Sequence, residues 1–354
     1  MTSIPRPPSH RSGLIAAGNF IVDTIVDIDH YPAEEMLANV LGEARANGGG
    51  PYNVLCDLAA LNAPFPLAAI GLVGDDENGR WVQVDCKRRG IDATGLQMIP
   101  EAATSYTHVM TARATGRRTF FHRRGANSRL DTSHFDFSRS TARLFHLGYL
   151  MLLDRLDAFV EPGRSGATLV LEAATAAGLE TSVDLVSVNH PDFSRVVASA
   201  LPWTDHLIMN EVEAGQLLGE RVGDSNRAEL EDAAQQALGM GVRRSVVIHT
   251  VHGSVAASRT DGVEAIGSLA LPAGYCRGSN GAGDAFAAGY LYGVHEGWPL
   301  SRRLRLGTCA AAACLSDPSP SAGLRPLQDC MELERRFPNR GWSRSPAGAG
   351  SVAR

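Results

Sequence analysis

The residues best suited to chemistry run from Arg277 to Leu291: Arg-Gly-Ser-Asn-Gly-Ala-Gly-Asp-Ala-Phe-Ala-Ala-Gly-Tyr-Leu. Gly278, Gly281 and Gly283 give way at once to an Ala/Gly-rich apolar segment. A loop that needs free backbone dihedrals therefore runs straight into a helix. The unpaired N–H groups of a first helical turn attract anions, and no bulky side chain shields them at Gly281 or Gly283. Asp284 stands in the same turn. A lone Asp there reads first as a helix cap. Beside a phosphate it would repel the ligand, which points to a base that takes a hydroxyl proton while the amides hold a transferring phosphoryl group.

Other glycine-rich readings fit less well. A dinucleotide fingerprint is spaced G-x-G-x-x-G and comes early in a βαβ unit. A Walker A loop requires Gly-Lys-Ser/Thr, and Lys87, in Cys-Lys-Arg-Arg-Gly, is the single lysine of the chain. That excludes P-loop NTPases and the protein-kinase β3 lysine, and leaves no second lysine for Schiff-base chemistry. The chain has 354 residues, 44% hydrophobic and 20% charged, enough for one large α/β domain with an appendage. With a net charge of −5 and no basic run, nucleic acid is not an expected partner. No segment has the apolar length of a membrane span, and the N-terminus has no secretory h-region. Six cysteines without a C-x-x-C pair read as reduced thiols of a cytoplasmic protein.

The elements that must position Asp284 follow from periodicity. Leu14–Gly18 reads as a buried strand; Ile21–Asp29 and Val40–Ala46 alternate as half-exposed strands around Tyr31-Pro32. A helix follows from Asn53, a strand at Leu67, and a helix to about Arg89. Thr104–Met110 and Arg117–His122 alternate around the turn Ala114-Thr-Gly116. From residue 143 onward, strands are expected at Leu144–Gly148, Thr181–Val186, His206–Met209 and Ser245–His249. Helices are expected over 155–178, 192–201, 211–218 and 227–240, and later over 300–315. Such alternation implies an α/β fold, a doubly wound, mostly parallel sheet with helices on both faces, whose ligands sit at the carboxyl ends of the strands. Residues 1–12 and 338–354 are expected to be disordered tails around a domain spanning 13–337.

Gly-Ala-Gly-Asp before an Ala/Gly-rich helix, late in the chain, resembles the signature of the ribokinase-like (PfkB-type) carbohydrate kinases. Asn47-Gly-Gly-Gly-Pro-Tyr-Asn-Val, Gly-Leu-Val-Gly-Asp-Asp at 71–76, Gly125-Ala-Asn127 and Asn210-Glu-Val-Glu213 fall in the family's order. The resemblance implies a ribokinase-like fold with a small β-lid from strands inserted at about 21–46 and 104–123. It implies Asp284 as general base, with the Gly281, Ala282, Gly283 and Asp284 backbone as anion hole. Substrate contacts carry over to Asn19, Asp23, Gly48, Gly49, Asn53 and Asn127, and nucleotide contacts to Asn210, Thr250, Gly253 and Asn280. Glu213 carries over as the residue ordering water around Mg²⁺. Taken singly, Asn53 and Asn210 read first as helix caps, and a turn residue is nearly as good a reading of Asn127.

The resemblance thus implies ATP and Mg²⁺ as cofactors and a small sugar as acceptor. A nucleoside kinase of the same fold, or a catalytically silent sugar- or ATP-binding regulator, are the competing readings. Two positions depart from the family pattern: Gly50-Pro51 stands where some members have lysine after Gly-Gly, and Gly278 where many have an Asp of a monovalent-cation site. The second departure implies little K⁺ dependence. The lid strands suit either a homodimer clasp or a monomer's cover.

Overall fold

The computed structural model describes residues 11–342. The first half of the chain forms β1 (Leu14–Gly18), β2 (Ile21–Ile28), β3 (Val40–Gly48), α1 (Gly50–Ala60), β4 (Leu67–Gly74), α2 (Glu77–Arg88), β5 (Asp92–Ile99), β6 (Ser105–Ala112), β7 (Arg118–Arg123) and β8 (Leu144–Leu150). Then come α3 (Asp154–Asp157), β9 (Phe159–Glu161), β10 (Arg164–Ser165), α4 (Gly166–Ala176), β11 (Glu180–Leu185), α5 (Phe193–Ala200), β12 (His206–Asn210), α6 (Glu211–Leu218) and α7 (Arg227–Gly239). The last part forms β13 (Ser245–His249), β14 (Gly253–Ser258), β15 (Gly262–Gly267), α8 (Ala282–His295), α9 (Leu300–Cys314) and α10 (Leu327–Arg336).

Nine strands form the central sheet in the order β15-β14-β13-β12-β11-β8-β1-β4-β5. The run from β13 to β5 is parallel, and β14 and β15 extend it antiparallel. Successive side chains of a strand point to opposite faces, so each strand feeds two cores. Leu14 and Ala16 join the core under α1, α8 and α9; Ile15 and Ala17 join the one under α4, α5 and α7. Val247 faces the first core, and Val246 and Ile248 face the second. The doubly wound, mostly parallel architecture expected from the alternation is thus the one the chain adopts. A separate four-stranded sheet, β3-β2-β6-β7, stands over the carboxyl end of the central one; β2 and β6 pair in parallel, and β3 and β7 flank them antiparallel.

Three expectations are corrected. The single helix expected over 155–178 is broken: α3 spans one turn, β9 and β10 form a hairpin around Pro162-Gly163, and Ser165 caps α4 by accepting from the Thr168 amide. The Pro-Gly pair ends the helical run. At the C-terminal end, 338–342 is ordered: Asn339 bridges Leu269, the Arg340 amide donates to Ser268, and Trp342 packs against the second core. Arg11 and Ser12 are likewise tied down, Arg11 donating to the carbonyls of Ser140, Ala142 and Ala177. The rest of the two expected tails lies outside the described residues.

Candidate active site

The Gly281–Asp284 turn sits where the parallel strands end. Gly281 precedes α8 at φ 77°, a left-handed conformation that suits glycine, and no side chain caps the helix. Among the described residues, the amides of Gly281, Gly283 and Asp284 donate to no other protein group. They border a cavity of about 510 Å³ that Asp23, Asn53, Tyr149, Asp184 and His249 also line. A Cβ on Gly283 would lie 3.1 Å from the His249 ring, so the approach is close.

Asp284 is buried on the first turn of α8. Its Oδ2 accepts from Asn53 Nδ2 at 2.7 Å and from the Tyr149 hydroxyl at 3.0 Å. Oδ1 accepts no hydrogen bond among the described residues. Burial, then the neighbouring Asp184, push the Asp284 carboxyl up to about 8, while Asn53 and Tyr149 pull it down. Asn53 is fixed in turn, accepting from Asn47 Nδ2 at 2.7 Å, and the same amide donates to Ser321. Tyr149 follows Gly148 on β8 with φ 58°, and Asp184 Oδ1 accepts its backbone N–H at 2.7 Å. The ends of β8 and β11 and the starts of α1 and α8 thus converge on one carboxylate.

Asp23, on β2, lines the same cavity from the second sheet. Burial pushes its carboxyl up to about 7, and Asn280 Nδ2 donates to it at 3.2 Å. Gly48 and Gly49 make room for this meeting: a Cβ at 48 would fall 2.3 Å from Asp23 Oδ1, and one at 49 would fall 2.1 Å from the Asn19 carbonyl. Asn19 is buried behind Gly49, its amide donating to the Tyr149 carbonyl and its Oδ1 without a partner among the described residues. Four residues lie elsewhere than expected, Asn19 and Gly48 among them, since neither lines the cavity. Asn127 is outside the cavity lining, its amide clamping the backbone N–H and carbonyl of Phe20. Asn280, expected on the nucleotide side, points to Asp23 instead.

On the other side of the turn a second cavity, of about 850 Å³, is lined by Asn210, Thr250, Gly253, Gly278 and Ser279, and by Phe286, Thr308 and Ala312 of α8 and α9. Asn210 and Glu213 form a capping box at the start of α6: Glu213 accepts from the Asn210 amide and side chain and from Ser187. Burial pushes the Glu213 carboxyl up to about 7 against these bonds. Thr250 is held by donating to the Asp224 carbonyl. A Cβ on Gly278 would meet the Pro318 backbone at 2.7 Å, so position 278 has no room for a carboxylate.

Residues 17–326 match the family model described as pfkB family carbohydrate kinase. The chain belongs to that family. Along its length it is 26% identical to a 5-dehydro-2-deoxygluconokinase of Geobacillus thermodenitrificans, over 94% of this chain and 95% of the relative. Its fold matches that of an Arabidopsis thaliana ribokinase complexed with ribose and ATP, with a TM-score of 0.74 at 20% identity over 91% of this chain and 98% of that one. It also matches a Methanocaldococcus jannaschii nucleoside kinase, with a TM-score of 0.69 at 17% identity over 92% of this chain and 98% of that one. As a carbohydrate kinase, the protein is a phosphotransferase with an alcohol group as acceptor.

Sequence reasoning did not single out four residues that line the two cavities. Asp184 interrupts the apolar run Thr-Ser-Val-Asp-Leu-Val, and an acid at the end of a parallel strand was the available signal. His249 closes β13 in the same way; burial pushes its imidazole down to about 4. Tyr149 and Arg118 carried no local signal. The first becomes a partner of Asp284 only when β8 is set beside β1 and β11. The second reaches from β7 to donate to Ser279 of the glycine-rich loop.

Proposed function

We propose that this carbohydrate kinase transfers the γ-phosphoryl group of ATP to a hydroxyl, a primary one, of a small sugar. One observation carries the reading: three amides with no protein acceptor open beside a buried carboxylate that two side chains hold in place. The amides of Gly281, Gly283 and Asp284 would hold the developing charge on the phosphoryl oxygens. Asp284, its Oδ1 free of hydrogen bonds, would accept the proton of the attacking hydroxyl. Asp23 and Asn53 would orient the acceptor, and Gly49 would let its hydroxyls approach the backbone. Asn19 supports that loop from behind. Asn210, Thr250 and Gly253 would border the nucleotide, and the sheet β3-β2-β6-β7 would cover the acceptor as a lid that excludes water.

The donor set suits magnesium. Among the described residues no three His, Cys, Asp or Glu side chains cluster as a metal cage, which accords with an ion held mainly by water and phosphate. Bound there, Mg²⁺ would neutralise charge on the β and γ phosphates. Glu213, with both oxygens taken up in its cap, would reach it through water. The space at Gly278 does not suit a K⁺ site that depends on a carboxylate.

A nucleoside acceptor is the second reading, favoured by the apolar wall that Phe120, Leu152 and Val186 give the acceptor cavity. The start of β3 and the segment before it expose Met36, Leu37, Val40 and Leu41, and we propose these as the contact of a homodimer. An ADP-release assay over sugars and nucleosides tests the function. Turnover of a sugar is expected; turnover of nucleosides alone selects the second reading, and absence of ATP binding removes both.

A further inference from the structure

The two cavities that meet at the Gly281–Asp284 turn differ in their ionisable side chains. The nucleotide side holds Arg118, Arg277 and Arg340 against Asp27 and Glu211. On the acceptor side are Asp23, Asp184, Asp284 and Glu213, and neither arginine nor lysine lines it. Its two imidazoles do not make up the deficit. Burial pushes both His122 and His249 down, so neither supplies a positive charge near neutral pH. The carboxylates come from separate elements, β2, β11, α8 and α6, so the polarity belongs to the way the fold closes this cavity.

We infer that the acceptor of this kinase carries no acid group: it is a neutral or amine-bearing polyol, and sugar acids and sugar phosphates are excluded. The inference rests on the proposed reading of the smaller cavity as the acceptor's. A buried anion needs a cation or several donors; the free amides of the Gly281–Asp284 turn are taken by the phosphoryl group, and the rest of the lining offers an acid no arginine or lysine and four carboxyls that gain charge as they ionise. Hydroxyl groups donate, and Asp23 and Asp184 offer oxygens to receive them. Phe120, Leu152 and Val186 supply a surface for the carbon skeleton. The carboxyls of Asp23, Glu213 and Asp284 are all pushed up, in the last two partly by neighbouring Asp184; the pocket sheds negative charge rather than gaining more. The consequence separates this chain from the relative that shares 26% of its residues, which is named for a gluconic-acid derivative.

The test uses matched pairs on the intact protein: ADP release, and in parallel thermal stabilisation with a non-hydrolysable ATP analogue and Mg²⁺. Acceptors are ribose, fructose, glucitol and glucosamine against gluconate, 5-dehydro-2-deoxygluconate and glucose 6-phosphate. The inference predicts turnover and stabilisation by members of the first group and none by the acids. A sugar acid used as well as any neutral polyol overturns it while leaving the kinase reading intact. Should no compound be phosphorylated, the kinase reading fails, and the stabilisation arm still decides: stabilisation by a neutral polyol and by no acid upholds the exclusion, while an acid that stabilises, or no neutral polyol that does, overturns it. In the variant Asp184→Asn, discrimination against acids should relax by roughly 10- to 100-fold, the scale of one near charge in a partly buried site. Unchanged discrimination in both Asp184→Asn and Asp23→Asn would overturn the charge argument.

Discussion

Tyr149→Phe removes one hydroxyl and leaves the ring, so it isolates the bond to Asp284 Oδ2. A hydrogen bond to a charged group is worth about 1.5–3 kcal/mol. At about 1.4 kcal/mol per pH unit, losing it raises the Asp284 pKa by about one to two units. The carboxyl starts at about 8, held there by burial, by Asp184 and by Asp23 against the pull of Asn53 and Tyr149. Only the ionised form accepts a proton, so at pH 7 the competent fraction falls by about 10- to 100-fold. The assay is kcat/KM against pH by coupled ADP release, with the best acceptor from the panel. The acid-side limb, along which activity rises with pH, should move to higher pH in Tyr149→Phe, with the plateau above it near that of the parent. A limb at unchanged pH, with the plateau lowered, would show that the hydroxyl acts on the substrate and not on the base.

Other outcomes follow from the same geometry. Between the ordinary carboxylate range and about 8, folded Asp284 keeps a proton that the unfolded chain has lost, so this group makes stability fall as pH rises. Asp284→Asn should therefore gain Tm over the parent, and the gain should be larger at pH 8 than at pH 5; an equal gain at both would contradict the assignment of the shift. Replacing an inert cation by K⁺ at fixed ionic strength should change activity little, because Gly278 abuts the Pro318 backbone where a carboxylate would have to stand; strong activation would refute this. Leu37→Glu with Leu41→Glu should convert a dimer to a monomer in sedimentation, and a monomeric parent protein would remove the proposed contact.

Much of the fold was legible because each core strand is a short apolar run bounded by turn residues, as at Leu14–Gly18 and Ser245–His249. β5 was not, since it opens Asp-Ala-Thr-Gly and lies at the sheet edge. The 155–178 segment reads as one amphipathic stretch until the Pro162-Gly163 hairpin divides it. In the site, Gly281, Gly283 and Asp284 announced themselves through local composition, and Asn53 through the family resemblance. Tyr149 and Asp184 did not, because their place beside Asp284 comes from strand order: β8 and β11 are neighbours, and residues 35 apart meet at their ends. Asn127 shows the reverse, a family resemblance that implied a ligand contact where packing against Phe20 takes both ends of the amide.

The most direct test is a comparison of Asp284→Ala with the parent enzyme, measuring ATP affinity by calorimetry and kcat by ADP release on the same preparations. The amides of Gly281 and Gly283 remain in the variant, so ATP should bind nearly as before, while kcat should fall by about 10²- to 10⁴-fold, the usual contribution of a positioned base. A variant that kept most of its kcat would contradict the account.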